Sequence, residues 1–257
     1  MVRVIAFFVS LTAAAQVPKV EIARRLAAVE DTNFKRELRL QAMFEEVGCK
    51  GDNLIEQRVK HAQAPNLICT LPGDSPTQIV VGGHFDFVDR GKGVVDNWSG
   101  SSLLPSLFED LHTARRRHTF VFIGFTNEEA GLVGSRFYVH QLSKEQRKNI
   151  QAMVNLDTLG LSSSAVDAGD KTLTLDLLAV AGRIHVPLRR IVVTAVGRSD
   201  SDSFRDAHIP AITIHSLTQE TVTLLHSPRD QMSAIQMDDY YNTYLLVRAF
   251  LAYLDQL

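Results

Sequence analysis

The strongest constraint on this chain is a set of strand-like runs that are apolar on both faces: "HTFVFIGF" (118–125), "QAMVNLDT" (151–158) and "IPAITIHS" (209–216), set apart by stretches of helical periodicity. A strand with one face in water alternates apolar and polar residues, so a strand with no polar face must be covered on both sides. Helical patterns fall at about 19–47, 99–113, 132–142, 172–184 and 238–254, and further strands at 54–59, 66–71 and 78–84. Strands alternating with helices pair in parallel, and the helices then cover the two faces. The expected fold is therefore α/β, a three-layer α/β/α sandwich around a mixed, mostly parallel central sheet. A length of 257 residues, 45% of them hydrophobic, suffices for one large core, and no hinge, repeat or low-complexity segment divides it.

The first residues read differently. "MVRVIAFFVSLTAAAQ" offers one arginine, an uncharged apolar run and small residues at Ala13 and Ala15, the pattern of a cleaved secretory signal over 1–15, with the domain spanning 16–257. The run is too short to stay in a membrane as a spanning helix, so no stable membrane insertion is expected after cleavage, and the protein is expected to be secreted or periplasmic. The alternative is a hydrophobic first element of the domain. Export would place Cys49 and Cys69 in an oxidising space where they could pair, but two cysteines alone favour the reduced reading. A net charge of −2 argues against a nucleic-acid partner, and the basic run Arg115–His118 suits the carbonyl end of a helix.

In a sheet of this kind chemistry gathers where the strands end, and the polar oddities fall there. "IVVGGHFDF" closes its strand with His84 and Asp86, two apart and so on the same face. A carboxylate that accepts the second ring N–H of an imidazole leaves the other nitrogen basic and ready for a metal. Asp96 stands in "GVVDNWSGSS" ahead of a helix start, Asp157 closes "VNLDT", and His226 lies in the loop "LLHSPRDQ". "FIGFTNEEAGLVGS" ends an apolar strand in the adjacent carboxylates Glu128 and Glu129, an arrangement that repulsion and lost hydration make costly unless positive charge sits beside it. Singly, each residue has a plain explanation as a helix cap, a turn residue or a satisfied core histidine. Together they form a mixed nitrogen and oxygen set of the kind that suits zinc.

The order H-x-D, D-N-x-S-G, E-E-x-G-x-x-G-S, N-x-D-x-x-G and a late His followed by Pro and Asp resembles the co-catalytic zinc aminopeptidases of the bacterial leucyl type, from about 80 to 230. The resemblance implies two zinc ions per chain. His84 and Asp157 would hold one, Glu129 and His226 the other, and Asp96 would bridge both. Asp86 would orient His84. Glu128, free of the metals, would act as general base toward an activated water and pass its proton to the leaving amine. No G-x-S-x-G elbow is present, and none is needed. A metallo-aminopeptidase acting on a peptide substrate, as a monomer, is the expected function. A glutaminyl cyclase with one zinc, a carboxypeptidase or other amide hydrolase, and a non-catalytic domain that keeps the fold are the alternatives.

Two positions depart from that family. Leu225 stands where several relatives have a tyrosine that binds the oxyanion, and Ser201 where relatives often carry His after S-D. Arg198, in "GRSDSDSF", matches a family segment and is a candidate for contacting the substrate's carbonyl or carboxylate, the alternative being an ion pair with Asp200 or Asp202. Thr158, Leu224 and Leu225 are candidate walls of the pocket for the first side chain, which would favour apolar residues. Expressed in a bacterial host with its full N-terminus, the protein is expected outside the cytoplasm, beginning near Gln16. N-terminal sequencing that recovers Met1 on soluble, active cytoplasmic protein would overturn that expectation.

Overall fold

The computed structural model describes residues 16–167, 169–191 and 197–257; the expected leader, 1–15, lies outside them. In chain order the elements are α1 (Lys19–Ala27), α2 (Asn33–Glu46), β1 (Leu54–Gln57), β2 (Asn66–Leu71), β3 (Ser75–His84), a kinked turn (Val94–Trp98) running into the short α3 (Ser99–Ser101), α4 (Leu104–His112), β4 (His118–Phe125), α5 (Val133–Gln141), α6 (Lys144–Asn149), β5 (Ile150–Leu156), β6 (Ala165–Val166), α7 (Lys171–Ile184), β7 (Arg189–Arg190), α8 (Asp200–Asp206), β8 (Ala211–His215) and α9 (Met237–Leu254). The strands form one mixed sheet in the order β1-β2-β4-β3-β5-β8-β6-β7. Its centre, β4-β3-β5-β8, is parallel throughout. These are the strands apolar on both faces. The antiparallel pairings, β1 with β2, β2 with β4 and β6 with β8, lie toward the two edges.

Alternate residues of the central strands enter two different cores. Phe120 and Phe122 join Ile79, Val81, Val154 and Leu156 in a core closed by α1, α2, α4, α7 and α9. Val121, Ile123 and Phe125 join Val80 and Met153 on the other face, beneath Tyr138 and Val139 of α5 and Phe204 of α8. The period of two along each strand thus assigns its residues to layers, which is the three-layer arrangement.

Several boundaries differ from the sequence pattern, each for a local reason. The helix expected over 19–47 is two helices: Thr32 adopts an extended backbone and its hydroxyl accepts the Lys35 N–H (3.2 Å), so the chain stops and restarts there. The stretch 99–113 is likewise broken, α4 restarting with Pro105 in its first turn, where no N–H is needed. β1 stops at Gln57, and β3 begins early at Ser75, with a register shift against β4 before Gln78 that accommodates Pro76. Helix α6 buries no residue, so it has no apolar stripe to betray it; a Ser143–Gln146 capping box starts it. The basic run behaves as its composition suggests, the Arg116 guanidinium donating to the carbonyls of Leu111, His112 and Ala114 at the end of α4.

Cys49, just past α2, and Cys69, on β2, form a disulfide, against the reduced reading favoured by the sequence. Both are buried, and composition carries no information on pairing, whereas the fold brings their Cα atoms to 6.3 Å. The bond closes a loop of sequence separation 20, for which chain entropy alone predicts about 3 kcal/mol of stabilisation. Replacing both cysteines by alanine is therefore expected to lower the unfolding free energy by about that amount in a denaturant melt. Identical midpoints for wild-type protein with and without reductant would show that the thiols are free.

Candidate metal centre

Because β4, β3 and β5 are adjacent and parallel, their carboxyl ends lie at one edge of the sheet and deliver Glu128 with Glu129, His84 and Asp157 to one place. Two loops complete the set with Asp96 and His226. His84 Nε2 lies 3.2 Å from Asp96 Oδ1, 3.8 Å from Asp157 Oδ1 and 4.0 Å from Glu128 Oε2. His226 Nε2 lies 3.2 Å from Asp96 Oδ2 and 3.0 Å from Glu129 Oε2. Asp96 thus turns one oxygen to each imidazole. Two groups, His84–Asp96–Asp157 and Asp96–Glu129–His226, each bring ligand atoms within 4.8 Å of one another. Either could hold a cation, with Asp96 shared.

The loops are held by backbone hydrogen bonds that account for the motif residues. Asn97 accepts the N–H groups of Gly100 (2.9 Å) and Thr158 (3.1 Å) on Oδ1 and donates through Nδ2 to the Leu156 carbonyl (2.8 Å), stitching the kinked 94–98 turn to the end of β5. Gly100 is required by the same approach, since a Cβ there would meet the Leu156 carbonyl at 2.2 Å. The Ser99 hydroxyl donates to Val95 O and accepts the Leu159 N–H. Asp230 accepts the N–H groups of Val95 (2.7 Å) and Asp96 (3.2 Å), tying the Asp96 segment to the loop after His226. The sequence shows Asp230 only as the last letter of the late motif; nothing in its spacing announces this contact. Thr158, Asn127 and His226 all adopt positive φ, an uncommon conformation for residues with side chains, and all lie at this edge.

Asp86 lies against His84 through both its backbone and its side chain. The nearest acceptor to His84 Nδ1 is the Asp86 backbone carbonyl at 3.1 Å, with the carboxylate at 3.5 Å. With an N–H on Nδ1, His84 would offer its Nε2 lone pair to a cation held between it, Asp96 and Asp157. The carboxylate itself accepts the N–H groups of Glu128 (3.0 Å) and Glu129 (3.2 Å), so it shapes the turn that presents the adjacent glutamates. Arg198 pairs with Asp206 and approaches Asp202 at 3.9 Å. The alternative partner Asp200 is instead fully buried in the first turn of α8, where loss of hydration pushes its carboxyl up to about 7. Ser201 joins a buried hydroxyl cluster with Thr213 (2.8 Å) and Ser199 (3.0 Å).

The charge balance shows what these residues fit. Burial, reinforced by Asp200, Asp157 and Asp96 and opposed by His84, pushes Glu128 up to about 10. Burial and the nearby Asp96 push Glu129 up to about 7. Burial also opposes ionisation of Asp96, but hydrogen bonds with His226 and His84 hold its carboxyl well below the usual range, and the Asp96 contact raises His226 to about 9. Beside the imidazoles of His84 and His226, the two adjacent glutamates are thus held toward their protonated forms. A donor set of this composition is matched by divalent cations, which supply the missing positive charge without protonation. The centre opens into a cleft of about 420 Å³ whose walls include Thr158, Arg198, Val222 and Leu225, together with Arg136, which the sequence reading passed over. Leu224, also named as a wall, does not line it.

The model for peptidase family M28 matches residues 66–251. Leupeptin-inactivating enzyme 1 of Streptomyces exfoliatus is 31% identical over 150 residues, 56% of this chain and 34% of that protein. The chain spans about a third or less of the length of the curated relatives first matched. Among solved structures, the LapA aminopeptidase of Legionella pneumophila superposes with a TM-score of 0.84 at 24% identity, over 96% of this chain and 74% of that one. BSAP, a zinc aminopeptidase from Bacillus subtilis, superposes with a TM-score of 0.68 at 26% identity, over 74% and 50%. The glutaminyl cyclase of Macrostomum lignano shares the fold, with a TM-score of 0.78 at 17% identity over 100% and 96%.

Proposed function

This chain belongs to peptidase family M28, and we propose that it is an exported metallo-aminopeptidase that holds two zinc ions and releases the N-terminal residue of peptides. The observation that carries the reading is the shared carboxylate: Asp96 faces His84 with one oxygen and His226 with the other, each at 3.2 Å. His84, Asp96 and Asp157 would hold one ion, and Asp96, Glu129 and His226 the other. Zinc, when bound, acts as a Lewis acid on a carbonyl and makes water acidic enough to be deprotonated near neutrality.

The chain's own groups do the rest. Glu128 belongs to neither ligand trio yet lies at the same edge, with its side chain 11% exposed. Its carboxylate takes a proton from the attacking water and returns it to the amine nitrogen as the peptide bond breaks. Asp86, through the Glu128 and Glu129 amides, fixes that carboxylate relative to His84. The apolar side chains of Val222 and Leu225 offer a wall for the first side chain of the substrate, and a cleft of about 420 Å³ suits a terminal segment better than an extended chain. Arg198, occupied by Asp206 and Asp202, remains near enough to the cleft to meet a substrate carbonyl. The disulfide and the leader-like N-terminus support an oxidising, extracytoplasmic location, and among the described residues no helix is long and apolar enough to cross a membrane.

A metal count on purified protein, with a screen of free and N-terminally blocked peptides, tests the reading. Two zinc ions per chain, loss of activity with a strong chelator, recovery on zinc addition and no cleavage of blocked peptides are expected. One zinc at saturation, with cyclisation of an N-terminal Gln substrate, would replace the reading by a glutaminyl cyclase.

The adjacent glutamates should fail differently. Glu128→Gln keeps the shape and removes the proton acceptor, so both ions should stay bound while kcat falls by about 10²–10⁴-fold. Glu129→Gln removes a charged ligand, so one ion should bind more weakly. If metal is lost from the Glu128 variant and retained by the Glu129 variant, the two roles are reversed.

A further inference from the structure

A fully buried guanidinium sits behind the loop that joins His84 to Asp96, and the proposed reaction makes no use of it. Arg36, on α2, is 0% exposed. Its Nε donates to the Glu30 carbonyl (2.9 Å), Nη1 to the carbonyls of Phe85 (3.1 Å) and Gly93 (3.0 Å), and Nη2 to that of Lys92. The guanidinium carbon lies 4.0 Å from the centre of the Phe87 ring, with Trp98 on a longer contact at 5.9 Å. Among the described residues no carboxylate lies within ion-pair distance of it. A cation buried without an ion pair carries a heavy desolvation penalty, and here the offsetting contacts go almost entirely to one loop.

That loop is the link between two candidate ligands. Phe85 follows His84 directly, Gly93 precedes Asp96 by three positions, and Lys92 and Phe87 lie between. The far end of the segment is tied by Asp230, which accepts the Val95 and Asp96 N–H groups and receives the Lys92 N–H on its backbone carbonyl (2.8 Å). Without Arg36 the near end and the middle of the loop would retain few of the contacts described. The geometry also explains why arginine is used. A planar fork can reach carbonyls at both ends of a loop while stacking on a ring between them, whereas the three donors of a lysine ammonium radiate from a single point.

We propose that Arg36 is a positioning residue for the metal centre: its guanidinium holds the 85–93 loop on α2, so that His84 and Asp96 keep the spacing that a shared cation site requires. The inference rests on the two-zinc reading above, and its test separates the two.

Wild-type protein, Arg36→Lys and Arg36→Met would each be titrated with zinc against a chromophoric chelator, and each melted in the metal-free and zinc-loaded states. If Arg36 positions the ligands, Arg36→Lys is expected to weaken zinc binding at least tenfold and Arg36→Met further, and the rise in Tm on adding zinc should shrink in the same order. A merely structural arginine would lower the metal-free Tm and leave both the zinc affinity and the zinc-induced rise unchanged, which would overturn the proposal. If neither variant folds, Phe87→Leu makes the same comparison, since it leaves Arg36 and its carbonyl acceptors in place but removes the ring that fixes the guanidinium plane. Weaker zinc binding with an unchanged metal-free Tm supports the role, and wild-type affinity overturns it. Wild-type protein that takes up no zinc would overturn the two-zinc reading and this inference with it.

Discussion

Repulsion between carboxylates gathered at a buried sheet edge is the constraint on which the rest of this structure turns. Asp96 is 7% exposed, and it shares the edge with Glu128, Glu129 and Asp157, its own basic contacts being the imidazoles of His84 and His226. Such a group of anions is stable in a folded chain only if protons or cations neutralise it. Protonation is the weaker solution, because a protonated carboxyl gives up the ion pairing that offsets its burial. Cations of charge two are the stronger one, and their binding would add to folding stability by mass action, since the unfolded chain has no preformed site. The fold therefore tolerates a local electrostatic penalty at the edge where the candidate ligands gather.

Tolerating that penalty requires that the carboxylates be unable to move apart, and the restraints are mostly hydrogen bonds to backbone. Asn97 ties the Asp96 turn to Asp157 through Thr158, Asp230 ties it to the His226 loop, and Asp86 ties His84 to the glutamate turn. Each of these polar side chains is itself buried, so each would be costly if unpaired, and each is satisfied by groups that belong to a different segment of the site. Hydrogen bonding around the centre and the placing of its candidate ligands are thus the same set of contacts seen from two sides.

This explains what was legible in the sequence. Strands apolar on both faces revealed the central sheet, and a sheet of parallel strands must present its carboxyl ends together, so His84, Glu128, Glu129 and Asp157 could be grouped without knowing any distance. Asp96 and His226 lie on loops, where periodicity says nothing, and only the spaced motifs linked them to the others. The reach of Asp86 to the amides of Glu128 and Glu129 depends on two separate backbone turns meeting, which no local pattern encodes. Helix α6, polar all round, and the two-residue strands β6 and β7 lack a periodic signal of any length. The break between α1 and α2 was hidden for the opposite reason, since the amphipathic pattern continues across a turn set by a single capping threonine.

Helix α2 connects these levels. The chain just past its C-terminal end is fastened to β2 by the Cys49–Cys69 disulfide, and its first turn carries Arg36, whose guanidinium grips the loop between His84 and Asp96. Phe44 and Leu40 pack the same helix into the larger core. A loop on a protein surface is ordinarily the least stable part of the fold, opening locally at small free-energy cost. Here the loop is bonded to a helix that is itself held by a covalent link and by core packing, so its opening requires the helix to shift or the three hydrogen bonds from Arg36 to the loop to break. The covalent bond stabilises the fold by restricting the unfolded chain, and in the folded state it fastens the segment that carries Arg36.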